Sequence, residues 1–308
     1  MSQAVVTEQT GVVSEEVVLD ELVADPPVVS RRVDGGEQPD AAPAGGAAER
    51  AARLAQARSA PRAPRPQWQQ ADVLEVIEET PETATLRLAL PGTPGFVAGQ
   101  YYNVRYPVEG KPRPIMRAYS IGSSPLPDPS VIEITVKEMI GGLVSPRLVR
   151  DVRAGDKLEV RGPHGTFTWT EADGGPVLLI AAGSGVVPFM SVIRYAVAKK
   201  LSVRMRLLFS SKSEEFVIYA EELRRLEQEH PWLDVVHTFT RAPGHPGAAY
   251  HRRIDGSMIT DCVESLQVGE GESPVGYACG SPEMVDAAQA ALLAAGLEPD
   301  RVRVEKYD

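Results

Sequence analysis

Four consecutive residues, Arg117-Ala118-Tyr119-Ser120, carry side chains suited to a planar anionic ligand. Arg117 offers a fixed cationic fork for a phosphate, Tyr119 a flat face, and Ser120 a small hydroxyl able to approach a ring nitrogen. A flavin nucleotide would use all three. Because four residues recur by chance, the plain alternative is a strand end with one solvated arginine. Motifs further along the chain change that balance. Gly141-Gly142-Leu143-Val144-Ser145-Pro146 fits a glycine turn opening a short helix, with Ser145 expected as N-cap and Pro146 as first helical residue. Such a start presents backbone N–H groups to an anion, and the glycines permit close approach. A capped helix after a turn is its bland counterpart; after Arg117-x-Tyr119-Ser120 it reads as the second half of a pyrophosphate clamp.

Gly183-Ser184-Gly185-Val186-Val187-Pro188 follows an apolar run, Val177 to Ala181, and opens a helical pattern, which is the context of a nucleotide loop. Its third position is Pro rather than the Gly of the dinucleotide fingerprint, so a different nucleotide loop is expected. Cys279-Gly280-Ser281-Pro282 lies at another strand-to-helix junction, where open α/β sheets bind ligands. Cys262 reads as a buried structural thiol, whereas Cys279 beside Gly280 could border a ring. Near the end, Val302 to Glu305 reads as a last strand that would anchor Tyr307 near the junction of two domains.

The elements that must position these residues divide in two. From Ala71 to Lys137, short β-branched runs alternate with Pro/Gly breaks: Val73 to Ile77, Thr83 to Leu90, Tyr101 to Tyr106, Ile115 to Ile121 and Val131 to Val136. Lys157 to Val160 and Phe167 to Thr170 would complete an antiparallel barrel of the six-stranded type, with Gly162-Pro163-His164-Gly165 as the intervening turn. Beyond Asp173-Gly174-Gly175-Pro176, apolar runs alternate with helical spacing, which predicts a doubly wound parallel sheet. The expected organisation is a tail over 1–66, a barrel over 67–172 and an α/β domain over 173–308.

Composition bounds the rest. With 43% hydrophobic and 24% charged residues and no run approaching roughly 18 consecutive apolar positions, no membrane span is expected. A net charge of −10 argues against a nucleic-acid surface. Residues 1–66 are rich in Ala, Gly, Pro and Arg and are expected to be disordered, either a solvated tail or a docking arm. The first ten residues lack the basic start and apolar core of a secretory signal, and two cysteines make a poor disulfide framework, so a reducing, cytoplasmic setting is expected. The only two cysteines, Cys262 and Cys279, cannot ligate an iron–sulfur cluster, which needs four thiolates, and no metal site is expected.

Taken in order over residues 68 to 308, Arg117-x-Tyr119-Ser120, Gly141-Gly142-x-x-Ser145, Gly183-x-Gly185-x-x-Pro188, Cys279-Gly280-x-Pro282 and Glu305-x-Tyr307 resemble the ferredoxin–NADP reductase family. The resemblance implies an FAD-binding barrel followed by an NAD(P)-binding domain. It implies that Arg117 and Ser145 hold the flavin pyrophosphate, that Tyr119 packs against the isoalloxazine, and that Ser120 bonds it near N5. It also implies that Gly183 to Pro188 bind the nucleotide pyrophosphate, that Cys279 borders the nicotinamide, and that Tyr307 covers the other flavin face with Glu305 nearby. In the plant-type members the chain ends at the tyrosine, whereas here Asp308 follows.

For the nicotinamide, Ser211, Lys212 and Tyr219 could receive a 2′-phosphate, while Glu214 and Glu215 would favour the ribose diol of NAD. The reading leans to NADPH. The activity expected is hydride transfer from NAD(P)H to FAD, then single-electron delivery to a separate ferredoxin, flavodoxin or oxygenase component. A flavin reductase or diaphorase using small acceptors is the alternative, and a non-catalytic regulatory subunit a third reading. The oligomeric state is left open.

Overall fold

The computed structural model describes residues 66–93, 95–266, 268–269 and 272–307. The expectation of a disordered tail, Pro66 apart, and the residue after Tyr307 lie outside the described residues.

Six antiparallel strands form the first sheet: β1 (Gln69–Thr80), β2 (Thr83–Ala89), β3 (Tyr101–Tyr106), β4 (Ile115–Ser120), β5 (Val131–Lys137) and β6 (Lys157–His164), in the order β4-β3-β6-β1-β2-β5. An antiparallel bridge between Ile121 and Ile134 joins the two ends of that order and curls the sheet into a barrel. Leu86, Leu88, Tyr102, Val104, Ile132, Ile134 and Val160 alternate inward along their strands and fill it. Helix α1 (Ser145–Arg150) lies against β5 and β2 and buries Leu148.

Two expectations are corrected here. Gly162 and Pro163 are not a turn but part of β6, because the ring of Tyr102 from the neighbouring strand lies across Gly162, 2.7 Å from where a Cβ would stand. A glycine in a strand here marks close approach rather than a chain reversal. Phe167 to Thr170 is not a strand. Instead, Phe167 and Trp169 are buried among residues of the second sheet, and the Trp169 indole N–H donates to Gly174 O at 3.1 Å.

The second sheet is parallel, with β7 (Val177–Ala182), β8 (Met205–Ser211), β9 (Leu233–Phe239), β10 (Val275–Gly280) and β11 (Val302–Lys306) in the order β11-β10-β7-β8-β9. The β7 run Val-Leu-Leu-Ile-Ala is buried on both faces, as a central parallel strand must be. One face packs under α2 (Val187–Ala198) and α3 (Ala220–Glu229), the other under α4 (Gly256–Ser265) and α5 (Pro282–Ala294). Tyr219 takes a left-handed conformation (φ 61°), and α3 starts only after it. Among the described residues no helix is long and apolar enough to cross a membrane.

Candidate active site

Strand β4 pairs with β3 in a register that sets Arg117 opposite Val104, Tyr119 opposite Tyr102 and Ser120 opposite Tyr101. Arg117 is exposed, with one guanidinium nitrogen on Met116 O (2.8 Å) and no carboxylate partner among the described residues. Ala118 is exposed beside it. Tyr119 is half-buried against the barrel core, where burial drives its phenol pKa up, with the Arg117 charge opposing. Ser120, buried at the strand end, leaves the barrel and meets the other sheet.

That meeting brings four expected residues together. The Ser120 hydroxyl lies 2.5 Å from the Tyr307 hydroxyl. Parallel pairing sets Cys279 of β10 opposite Glu305 of β11, and Tyr307 N donates to Gly280 O at 2.9 Å. The Cys279 thiol is hydrogen-bonded to Tyr307 and is fully buried, so its pKa rises well above the ordinary thiol value. Glu305 is 8% exposed; burial pushes its carboxyl up to about 7, and its Oε2 has no hydrogen-bond partner.

The Gly183–Val186 turn is positioned by contact with the same strand end. A Cβ on Gly185 would stand 2.1 Å from Cys279 O, so only glycine lets the turn lie on β10. Gly183 has φ +55°, and a Cβ there would lie 3.4 Å from Lys137 Nζ at the end of β5. Ser184 is half-buried between them, and Pro188 is buried in the first turn of α2. After β5 the chain runs through Gly141, which has φ +76°, and Gly142, with Met139, Ile140 and Leu143 exposed and Val144 buried. Ser145 is corrected from its expected place: it is the first helical residue, after Val144, and its Oγ accepts the Met139 N–H at 3.1 Å. Its hydroxyl closes the glycine loop rather than capping the helix.

Three expected residues stand apart. Ser211 is buried, its Oγ without a hydrogen-bond partner. Lys212 is paired with Glu82 of the barrel at 2.5 Å and lies over the Phe216 ring. Tyr219 is buried with its hydroxyl on Thr135 Oγ1 and its backbone N–H on Glu79 Oε2 (3.1 Å), so its hydroxyl is committed to the junction between the sheets. Sequence reasoning missed Arg194, Ser191, Glu133 and Glu82, all of which cross that junction. A signal was present for Arg194: it is the only charge in the otherwise apolar α2 segment VPFMSVIRYAVA. A lone buried guanidinium requires partners.

The arrangement fits two dinucleotides. An exposed guanidinium with no carboxylate partner among the described residues, a half-buried phenol and a buried hydroxyl share one strand. Opposite them a glycine turn lies at the carboxyl edge of a parallel sheet, with an unpartnered carboxylate oxygen nearby. Residues 70–169 match the oxidoreductase FAD-binding domain and residues 179–290 the oxidoreductase NAD-binding domain. Ferredoxin–NADP reductase B of Sorangium cellulosum is 31% identical over 215 residues, covering 69% of this chain and 86% of that protein. The chain belongs to the ferredoxin–NADP reductase-like family. Within this family it is 27% identical, over 230 residues, to the ferredoxin–NAD(P)+ reductase component of the naphthalene 1,2-dioxygenase system of Pseudomonas putida, covering 74% of this chain. The match spans only 65% of that relative's length. Among solved structures of ferredoxin–NADP reductase-like proteins, the Amycolatopsis cytochrome P450 reductase GcoB superposes with a TM-score of 0.67 at 28% identity, covering 80% of this chain and 72% of that one.

Proposed function

We propose that this chain is the reductase component of an electron-transfer system, using NADH and FAD to serve a separate protein acceptor: a ferredoxin, a flavodoxin or an oxygenase component. The observation that carries the reading is the joining of Ser120, at the end of the barrel strand, to Tyr307, Cys279 and Glu305 at the carboxyl edge of the parallel sheet. When bound, FAD would supply two-electron acceptance from the nicotinamide and one-electron release to the acceptor. The residues here supply binding and orientation. Arg117 would hold the pyrophosphate by its exposed guanidinium, which has only the Met116 carbonyl as partner, Tyr119 would support the ring, and Ser120 would donate to a ring nitrogen. Gly141 to Ser145, through Gly142, Leu143 and Val144, would offer backbone N–H groups to the phosphates. Gly183, Ser184, Gly185 and Pro188 would take the nicotinamide nucleotide's pyrophosphate, and Cys279 with Gly280 would border its ring. Tyr307, now bonded to Ser120, would swing aside to admit that ring, which breaks the 2.5 Å bond. The two buried free thiols suit a reducing, cytoplasmic setting.

The side-chain commitments favour NADH over the NADPH to which the sequence leans. Lys212 is neutralised by Glu82, the Tyr219 hydroxyl faces Thr135, and Glu214 and Glu215 at the same edge are exposed carboxylates that repel a 2′-phosphate. Anaerobic stopped-flow mixing with each nucleotide, followed at the oxidised flavin band near about 450 nm, tests the reading. Bleaching is expected, faster with NADH. No bleaching with either nucleotide would remove the reductase assignment.

Glu82 provides a further handle on nucleotide choice. Its carboxyl is partly desolvated, but hydrogen bonds from Lys212 and Lys137 outweigh that and hold its pKa below the usual value, so it is charged at neutral pH. Glu82→Gln should release Lys212 and raise kcat/KM for NADPH about three- to tenfold, with little change for NADH. Equal changes for both nucleotides would show that Lys212 does not face the 2′ position.

A further inference from the structure

Helix α2 starts where the Gly183–Val186 turn ends, and its buried face reaches across to the segment that follows Ser120. Ser191 Oγ donates to Ser123 O at 2.6 Å. One turn on, Arg194 Nη1 donates to Gly122 O and to Glu133 Oε2, each at 2.8 Å. The same guanidinium forks onto Glu222 of α3, with Nε on Oε1 at 2.9 Å and Nη2 on Oε2 at 2.6 Å, and lies over the Tyr219 ring. The segment it grips is itself held: Gly122 N donates to Glu133 O (2.7 Å), Glu133 N to Ser123 Oγ (3.0 Å) and Ile121 N to Gln100 O (2.9 Å). A Cβ on Gly122 would meet the Tyr219 hydroxyl at 2.5 Å, so the fit leaves no room for a side chain.

We propose that Arg194, seconded by Ser191, is a positioning residue that fixes the nicotinamide side of the site against the Ser120 strand end. The inference rests on the reductase reading above. From Pro188 to Arg194 is about 9 Å of rigid helix, at roughly 1.5 Å per residue. Helix α2 is therefore a strut with the nucleotide turn at one end and the two carbonyls after Ser120 at the other. Transfer between two bound rings requires reacting atoms about 3–3.5 Å apart, and a displacement of about 1 Å can cost about 100-fold in rate. Five N–H donors in a fixed plane let one arginine hold a carbonyl and two carboxylates at once, which lysine cannot reproduce. A staple that only adds stability would act on folding and flavin content; a strut acts on the transfer step.

The test compares the native protein with Arg194→Gln, Arg194→Lys and Ser191→Ala. In anaerobic single-turnover reduction by saturating NADH, the limiting rate should fall about 10- to 100-fold in Arg194→Gln, while flavin content holds and the NAD+ dissociation constant stays within about twofold. Arg194→Lys should recover only part of the loss, and Ser191→Ala should lose about threefold, since it removes one carbonyl contact. A readout independent of turnover is the dipolar electron-resonance distance between spin labels at Arg113→Cys, exposed in the loop between β3 and β4 of the barrel, and Glu264→Cys, exposed on α4 of the parallel-sheet domain, the native thiols being buried. Arg194→Gln should broaden that distance distribution. A rate within about twofold of native with an unchanged distribution, or a rate that falls only in step with lost flavin, overturns the proposal. Should Arg194→Gln fail to fold, Ser191→Ala decides it in the same way. If native protein is not reduced by NADH or NADPH, the reductase reading fails instead, and the spin-label comparison still decides whether Arg194 fixes one sheet against the other.

Discussion

Gly185→Ala is expected to disable reduction by the nicotinamide nucleotide while leaving flavin bound. The added Cβ would stand 2.1 Å from Cys279 O, 2.6 Å from Cys279 C and 3.0 Å from Gly280 N, all backbone atoms at the end of a strand flanked on both sides. No rotamer change relieves such a clash. Either the Gly183–Val186 turn lifts off β10, or β10 shifts and carries Cys279 and its register partner Glu305 with it. Overpacking of this kind costs about 1–3 kcal/mol, which in a folded region of this size lowers the melting midpoint by roughly 3–10 °C. The effect on the transfer step should be larger, about 100-fold, because both ways of relieving the clash move groups beside the reacting ring. Arg117 lies on the other sheet, so flavin content should hold. Gly92→Ala is the control: nothing lies within 4 Å of its Cβ position, and native behaviour is expected. A Gly185→Ala protein reduced at the native rate would show that the turn does not form the nucleotide site.

The second large effect is a dependence on pH, and it comes from Glu305. Burial alone pushes its carboxyl from about 4.5 up to about 7, and Oε2 lacks a partner that would favour the charged form. Between these values the folded protein holds a proton that the unfolded chain has released, so stability falls as pH rises through that window and levels off above 7. The integrated loss is about 3 kcal/mol. Glu305→Gln keeps the shape and has no proton to lose. It should match the native protein below pH 4.5 and exceed its stability by about 3 kcal/mol at pH 8, read from denaturant midpoints across the pH range. The limiting rate of flavin reduction should bend near pH 7 in the native protein and not in the variant. Parallel stability profiles for the two proteins would place the titration elsewhere.

Local chemistry was legible in the sequence, and long-range commitment was not. Arg117 to Ser120 and the glycine turns at 141 and 183 announce themselves because each works through neighbouring residues and backbone conformation. The bond from Ser120 to Tyr307 spans 187 positions and was not foreseen: the shared order of motifs set each residue against the flavin, not against the other. Tyr219 was expected at a phosphate because a hydroxyl in sequence does not say which way it faces. Its left-handed backbone turns it onto Thr135 instead. Ser145 carries a cap residue's chemistry, yet sits one position inside the helix and spends its oxygen on Met139. Gly162-Pro163 looked like punctuation because the sequence does not reveal the Tyr102 ring that needs the missing Cβ. The ion pair of Lys212 with Glu82, 130 positions away, is invisible to any local pattern.

The chemical change along the chain near residue 173 and the change in packing do not coincide. Phe167 and Trp169 precede Asp173 but belong to the core of the parallel sheet, with Trp169 fully buried and tied to Gly174 O. A nucleotide-binding half exchanged between proteins at residue 173 would arrive without its own indole and would leave an indole-sized hole in a core that tolerates few voids. A crossover near Gly165 would carry both aromatics along. The portable piece of this molecule therefore begins several residues before its first strand, and recombination that respects only the strands would yield chimaeras that are correctly wound and poorly filled.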